Sequence, residues 1–386
     1  MPNLELRLFL RNAYRRRSFY ALGFACSAVL VAGLVFFGRL AGQPDPASSA
    51  PVLGIEAPFD ARLQHALSRI ADANLPFVVG VSHKGGPIRV QEFGVLDEDW
   101  IDPETMQIDI NSVTKTVTAV MAAKLVDEGK VRFDETLSEI FPDVPDDKAG
   151  ITLHQLLTHS AGFVEAVGDD EEPIGRQDFL ARAFRSKLLS IPGQTYTYSN
   201  VGYGLIAAII ELRSTKTYEE YLQQDILSGL GFENTGYLST YDETRSIRTK
   251  SGQGIWEASW GGHTPSWNLI GNGGLISTVP EMLRFRRAVL EGKIVRPETL
   301  AAIHTAHIAE DDDAVSHYGY GLVVQDINGI GRVYWHDGGN DLFSVQWGDY
   351  ADQCDLIFVA GLDDDLGNAF EAMQIIETYL YGRKDG

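Results

Sequence analysis

Asp109-Ile110-Asn111-Ser112-Val113-Thr114-Lys115 is the stretch on which the reading of this chain turns. Asp109-Ile110-Asn111 reads as a short strand or turn. Val113, Val117, Val120, Met121 and Leu125 then recur at helical spacing, and Gly129 stands where the helix should stop. Ser112 therefore opens a buried helix. Residues three apart share a helix face, so the Lys115 amine can reach the Ser112 hydroxyl. A serine hydroxyl is a poor nucleophile until its proton is taken, and a desolvated lysine can take it. Free N–H groups and the positive dipole end at the helix start favour a developing oxyanion. A Ser-x-x-Lys spacing arises by chance roughly 0.6 times in a chain of this size, so the context must carry the assignment.

Downstream, Tyr196-Thr197-Tyr198-Ser199-Asn200 precedes an apolar helical run, Val201 to Leu212. Tyr198 and Asn200, two apart in a loop, can point the same way. A phenol beside a cation such as Lys115 is a competent proton shuttle. An asparagine can bind a substrate amide or fix the lysine amine. Further on, Val333-Tyr334-Trp335-His336-Asp337-Gly338-Gly339 closes a predicted strand. Its glycines let a substrate lie against the strand edge. The Gly339 N–H, with that of Ser112, is placed to bind an oxyanion. His336 beside the cleft can bind a carboxylate or relay a proton.

Together these segments resemble the serine β-lactamase-like superfamily: class C β-lactamases, D-Ala-D-Ala carboxypeptidases, D-aminopeptidases and related esterases. The marks are Ser112-Val113-Thr114-Lys115, Tyr198-Ser199-Asn200, and His336-Asp337-Gly338 where those lactamases carry Lys-Thr-Gly. Ile151 to Gly162 and Gly273 to Thr278 also match, and the resemblance covers about residues 59–382. It implies that Ser112 is acylated, that Lys115 and Tyr198 share the proton transfers, and that Asn200 orients substrate and Lys115. It further implies that His336 and Gly338 line the substrate edge, with the Ser112 and Gly339 N–H groups as oxyanion hole. The reaction would be acyl transfer to serine and then hydrolysis of an ester, amide or D-amino-acid peptide. His336 in place of lysine removes a fixed cation for a β-lactam carboxylate at neutral pH. Asp337 disfavours anionic substrates further. An esterase or peptidase thus ranks above a β-lactamase or carboxypeptidase, and a non-catalytic binder of cell-wall peptides or a partner ranks below both.

The expected fold is α/β (α+β). An antiparallel sheet is assembled from both termini, flanked by helices, with a helical lobe beside it. Its pieces are a helix over Ala61 to Ala73, strands over Pro76 to Ser82 and Ile88 to Gly94, and a helical stretch from Ser112 to about Leu230. Strands over Gly321 to Gln325, Arg332 to His336, Phe343 to Gly348 and Leu356 to Ala360 follow, then a helix over Phe370 to Leu380. Ahead of this body (residues 58–383), a basic segment (1–17) carries Arg7, Arg11, Arg15, Arg16 and Arg17. Residues 18–38 are uncharged and long enough to cross a bilayer. Residues 39–57 form a linker. The arginines place the N-terminus in the cytoplasm and the body outside, periplasmic or extracellular. Arg39 spoils a cleavage site, so an uncleaved membrane anchor is expected.

The net charge of −21 argues against nucleic acid as a partner, which leaves a small-molecule or peptide substrate. No cofactor is expected. His304, His307, Glu310 and Asp311 do not make a metal-ligand spacing. No Gly-x-Ser-x-Gly elbow, phosphate loop or dinucleotide fingerprint is present. The two cysteines lie apart: Cys26 in the apolar span and Cys354 in a strand-like run, where a small core residue is expected. His154 and His159 read as structural. Trp256, Trp260 and Trp267 either wall an acyl pocket or pack a long loop.

Overall fold

The computed structural model describes residues 54, 56–72, 77–93, 101–248, 252–340, 342–362 and 368–383. The anticipated basic segment, membrane span and most of the linker lie outside the described residues. Among the described residues, no helix is long and apolar enough to cross a membrane.

Period-2 runs and amphipathic helices yield helix α1 (Phe59–Asp72), the hairpin β1 (Phe77–Ser82) and β2 (Ile88–Phe93), and a two-residue strand β3 (Ile108–Asp109). A 3₁₀ turn, Asn111–Val113, leads into α2 (Thr114–Asp127). The lobe contributes α3 (Leu137–Ile140), α4 (Leu153–Leu157), α5 (Arg176–Arg185), α6 (Asn200–Ser214), α7 (Tyr218–Tyr221) and α8 (Ile255–Ala258). Strand β4 (Ile276–Ser277) pairs with β3 and precedes α9 (Val279–Leu290) and α10 (Pro297–Ile303). Strands β5 (Ile308–Ala309), β6 (Ser316–Tyr318), β7 (Val323–Ile327), β8 (Gly331–Gly339), β9 (Phe343–Tyr350) and β10 (Asp355–Leu362) precede α11 (Asn368–Tyr381).

The main sheet has the order β2-β1-β10-β9-β8-β7-β6-β5, antiparallel throughout. The N-terminal hairpin thus docks on the last strand, as a sheet built from both termini requires. Successive side chains of a strand point to opposite faces. Phe77, Val79, Val81, Ile357 and Val359 face one way and bury against α1 and α11 through Leu67, Met373 and Ile376. Val78, Phe358, Val345 and Trp347 face the other way, into the core shared with α2, α6 and α9. Burial on both faces explains why β1 is an unbroken apolar run.

Cys354 departs from expectation. It is an exposed thiol at φ +56°, in the turn before β10, not a core residue. The turn needs a left-handed residue there, and the strand starts one residue later. The short strands β5 and β6 carry too little alternation to be read from sequence. Trp260 packs the long loop: it is fully buried and donates its indole N–H to the Gly274 carbonyl at 2.9 Å.

Candidate active site

The site grows from the β3–β4 ribbon. Ile110 N–H donates to the Leu275 carbonyl at 2.9 Å. Asn111 then turns at φ +46°, a left-handed conformation that Asn tolerates better than most residues. The Asp109 carboxylate holds that turn by accepting the Asn111 N–H at 2.7 Å. Asp109 is itself buried, and burial raises its pKa to about 6. The turn delivers Ser112 to the mouth of α2. Thr116 and Thr118 fix that helix through hydroxyl bonds to the carbonyls of Gly321 and Gly271, both 2.6 Å.

The Lys115 amine lies 3.0 Å from Ser112 Oγ and donates to the Asn272 carbonyl at 2.7 Å. Lys115 is fully buried. Burial lowers its pKa to about 7, opposed by the negative charges of Asp170, Glu165 and Asp337. A neutral amine is therefore accessible at physiological pH. Tyr198 enters from the loop before α6, and its hydroxyl donates to Ser112 Oγ at 2.9 Å. The amine sits 4.8 Å from the Tyr198 ring centre. Ser112 Oγ thus has two proton-handling groups within hydrogen-bond reach.

His159 explains why Tyr198 is where it is. Its Nδ1 accepts the Ser199 N–H at 3.0 Å, its carbonyl accepts the Thr197 N–H at 2.7 Å, and its ring centre is 4.4 Å from that of Tyr198. Asn200 behaves differently from expectation. It is the first residue of α6, its N–H donates to the Glu165 carbonyl at 2.9 Å, and its Oδ1 is buried without a partner. The group that holds the Lys115 amine is the Asn272 carbonyl. A main-chain acceptor leaves no mark in a sequence.

Strand β8 forms the opposite wall. Asn340 N–H donates to the Phe343 carbonyl at 3.0 Å, in the register that pairs Gly339 with Ser344. Hydrogen-bonded and non-bonded pairs alternate along an antiparallel ladder. The main-chain groups of Asp337 and Gly339 therefore turn away from β9, toward the edge that β7 leaves free beyond Trp335. Gly338 backs directly onto the nucleophile turn: a Cβ there would lie 2.6 Å from the Ser112 nitrogen. His336 is buried beside this edge rather than open to it. Its Nε2 accepts the Tyr318 hydroxyl at 2.9 Å and its Nδ1 donates to the Asp337 carbonyl at 2.6 Å. Burial lowers its pKa to about 4 against the opposing pull of Asp337. It is neutral at pH 7 and supplies no fixed cation.

His304 and His307 pack on aromatic rings. His304 stacks on Tyr334 at 4.0 Å and His307 on Tyr320 at 4.3 Å. Among the described residues no group of three acidic, histidine or cysteine side chains is disposed to hold a metal.

Known proteins share this arrangement of elements. The structure is similar to that of the D-amino acid amidase from Ochrobactrum anthropi SV3 in complex with L-phenylalanine amide. The TM-score is 0.72 at 19% identity, covering 84% of this chain and 99% of that one. A penicillin-binding protein from Bacillus halodurans gives a TM-score of 0.66 at 21% identity, covering 81% and 99%. At such identities the likeness is one of fold. In sequence, the D-alanyl-D-alanine-carboxypeptidase/endopeptidase AmpH of Escherichia coli (strain K12) is 29% identical over 199 residues, 47% of this chain and 49% of that protein. Penicillin-binding protein 4* of Bacillus subtilis (strain 168) is 22% identical over 302 residues, 71% and 65%. The matched part of the chain spans about half to two thirds of the length of these curated relatives. A family model described as Beta-lactamase matches residues 71–359, well over half of the chain, and the protein belongs to that family.

Proposed function

We propose that this protein is a serine hydrolase that works through an acyl-enzyme on Ser112. The observation that carries the proposal is Ser112 Oγ within 3.0 Å of a buried amine lowered to about 7 and within 2.9 Å of a phenol. Neutral Lys115 takes the Ser112 proton as Oγ attacks the substrate carbonyl. The Ser112 and Gly339 N–H groups stabilise the tetrahedral oxyanion. Tyr198, bonded to the same oxygen, passes the proton to the leaving group. Water then attacks the acyl-enzyme by the reverse transfers and frees Ser112.

The substrate class proposed is an ester, amide or D-amino-acid peptide. Neutral His336 favours it over a β-lactam, whose carboxylate would need a cation. A D-alanyl-D-alanine-carboxypeptidase/endopeptidase, penicillin-binding proteins and a D-amino acid amidase are among the similar proteins, which accords with this reaction type. We also propose that residues 18–38 anchor the protein in a membrane with the body outside. The support is the uncharged run behind five arginines. Retention in the membrane pellet after alkaline carbonate washing would accord with that, and release would refute it.

The test of the hydrolase is intact mass after incubation with a fluorophosphonate. One adduct on the wild type and none on Ser112→Ala is expected. An equal adduct on both, or none on either, rejects the acyl-enzyme.

A further inference from the structure

The two N–H groups assigned to the oxyanion come from separate pieces of the chain. Ser112 lies in the turn after β3 and Gly339 at the end of β8. Strand β3 pairs with β4, and β8 pairs with β7 and β9, so no ladder joins the two pieces. They touch at Gly338, whose missing Cβ leaves room for the Ser112 nitrogen. A touch sets how closely they approach. It does not stop them from drifting apart.

A chain of side-chain hydrogen bonds crosses the same gap, and it starts at Asp109. This acid is buried, and among the described residues no cation pairs with it. Burial raises its pKa to about 6, which still leaves a carboxylate at neutral pH. A carboxylate only accepts, so each polar neighbour must turn a donor toward it. The Asn111 N–H donates to it at 2.7 Å, and the Ser259 hydroxyl donates to it as well. With its proton committed, Ser259 Oγ still has lone pairs, and Asn340 Nδ2 donates to it at 3.4 Å. Asn340 Oδ1 accepts the N–H groups of Leu342 and Phe343 at 2.9 and 2.8 Å, which fixes the end of the amide that faces Ser259. All the protons therefore point one way, from the residue after Gly339 through Ser259 to the acid that holds the Ser112 turn.

The middle link is held from behind. Ser259 closes α8, with its N–H on the Ile255 carbonyl at 2.9 Å. Next to it, the indole of Trp260 donates to the Gly274 carbonyl, one residue before the Leu275 carbonyl that accepts the Ile110 N–H. Ser259 is thereby fixed to the β3–β4 ribbon from which the nucleophile turn springs. A buried carboxylate without a counter-charge is costly, and a single acceptor would be enough to hold the Asn111 N–H. What the acid adds is room for a second donor, and that donor is Ser259.

We propose that Asp109, Ser259 and Asn340 are positioning residues whose hydrogen-bond chain sets the separation of the Ser112 and Gly339 N–H groups and so aims the oxyanion hole. The proposal rests on the acyl-enzyme reading and deepens it. None of the three is assigned a proton transfer or a bond to substrate. Each acts through the turn or the strand end that it holds. Oxyanion donors contribute most when they are fixed in place before the charge develops.

The full-length protein tests this with p-nitrophenyl acetate and with phenylboronic acid. Ser112 Oγ bonds the boron as its proton passes to Lys115, and a boron-bound hydroxyl takes the oxyanion position. The boronate inhibition constant therefore reports on the hole without turnover. Ser259→Ala should lower kcat/KM about tenfold and raise the inhibition constant by a similar factor, part of what one well-aimed donor contributes. Ser259→Thr keeps the hydroxyl and should stay within about threefold of the wild type on both. Asp109→Ala should lose about 100-fold, and the double variant with Ser259→Ala no more than that, because the two act as one chain. Should Asp109→Ala not fold, Asn340→Ala takes its place in the cycle. If the ester is not turned over but the fluorophosphonate labels Ser112, the labelling rate carries the same comparison. A part confined to stability would lower the denaturant midpoint of Ser259→Ala and leave its kcat/KM unchanged once folded. That outcome, equal losses in the alanine and threonine variants, or losses that multiply in the double variant overturns the inference alone. No turnover, no boronate inhibition and no phosphonate adduct on the wild type overturn the acyl-enzyme reading and the inference with it.

Discussion

On one face of the central sheet, Phe77, Val79, Ile357 and Val359 meet α1 and α11 through apolar side chains. The acid buried there, Glu377, is satisfied by the Tyr350 hydroxyl and Arg383. On the other face, Val78, Phe358 and Trp347 meet α2, α9 and the lobe. That side also buries Lys115, held near 7, His336, held near 4, and Asp109, held near 6. Each of the three is shifted toward its neutral form by burial. The first face is apolar apart from that satisfied acid. The second gives up stability to keep groups poised for proton transfer.

Lys115→Met sets the two faces apart most sharply. Acylation of the variant should fall by roughly 10⁴-fold, the scale at which a residue of a coupled catalytic unit acts. The fold should not suffer. The Lys115 pKa is lowered from 10.5 to about 7 in the folded protein. Between those values the unfolded chain holds the proton and the folded one does not, so stability rises with pH from about 7 to about 10. Methionine removes that dependence and the desolvation cost behind it. Denaturant melts at pH 7 and pH 10 should show a slope for the wild type and a flat, equal or higher midpoint for the variant at pH 7. Wild-type acylation should climb through about pH 7 as the amine loses its proton. Near-normal ester turnover in Lys115→Met would show that another base serves Ser112.

Ile376→Ala probes the opposite face. Ile376 is fully buried in the cluster between α11 and the sheet. Truncation should cost about 3 kcal/mol, from lost transfer free energy and the cavity left behind. The fall in denaturant midpoint reads it. At 25 °C the folded variant should keep its kcat/KM within about twofold, since Ser112, Lys115 and Tyr198 are not part of that cluster and it meets the site only at its far end, through Tyr318 and His336. A tenfold loss of activity in folded protein would mean that the two faces are coupled through the sheet.

The two faces were also unequally legible. The apolar face follows from the continuous apolar runs of β1 and β10 and from the amphipathic terminal helices, and the sheet built from both ends could be read from those runs. On the catalytic side, Ser112 and Lys115 were readable because a three-residue spacing is a local fact of helix geometry. Tyr198 and His336 became readable through resemblance. Asn272 left no signal because it acts through its carbonyl. His159 read only as structural, since its bond to the Ser199 N–H is made across 40 residues. Glu165 and Asp170 carry no local signal, and only the fold brings their charges to bear on Lys115. Cys354 misled because a strand-like run begins one residue after a left-handed turn.

Gly338→Ala asks how tightly the two sides meet at the nucleophile. Its Cβ would lie 2.6 Å from the Ser112 nitrogen, 2.9 Å from Asn111 Cβ and 3.0 Å from the Ile110 carbonyl. Two of those three atoms are main chain, so no flexible side chain can swing away. Either β8 or the Asn111–Val113 turn must move by several tenths of an ångström. The turn carries one of the two N–H groups assigned to the oxyanion, and β8 carries the other. Either movement spreads the pair. Loss of one well-aimed oxyanion donor costs about 10²–10³-fold in kcat, and a partial misplacement should cost less, about 10- to 100-fold. Because both ester and adduct chemistry pass through the same oxyanion, phosphonate labelling should slow with turnover while KM changes little. A variant with unchanged kcat would show that β8 yields at this point, and that the hole is not set by the contact between Gly338 and Ser112.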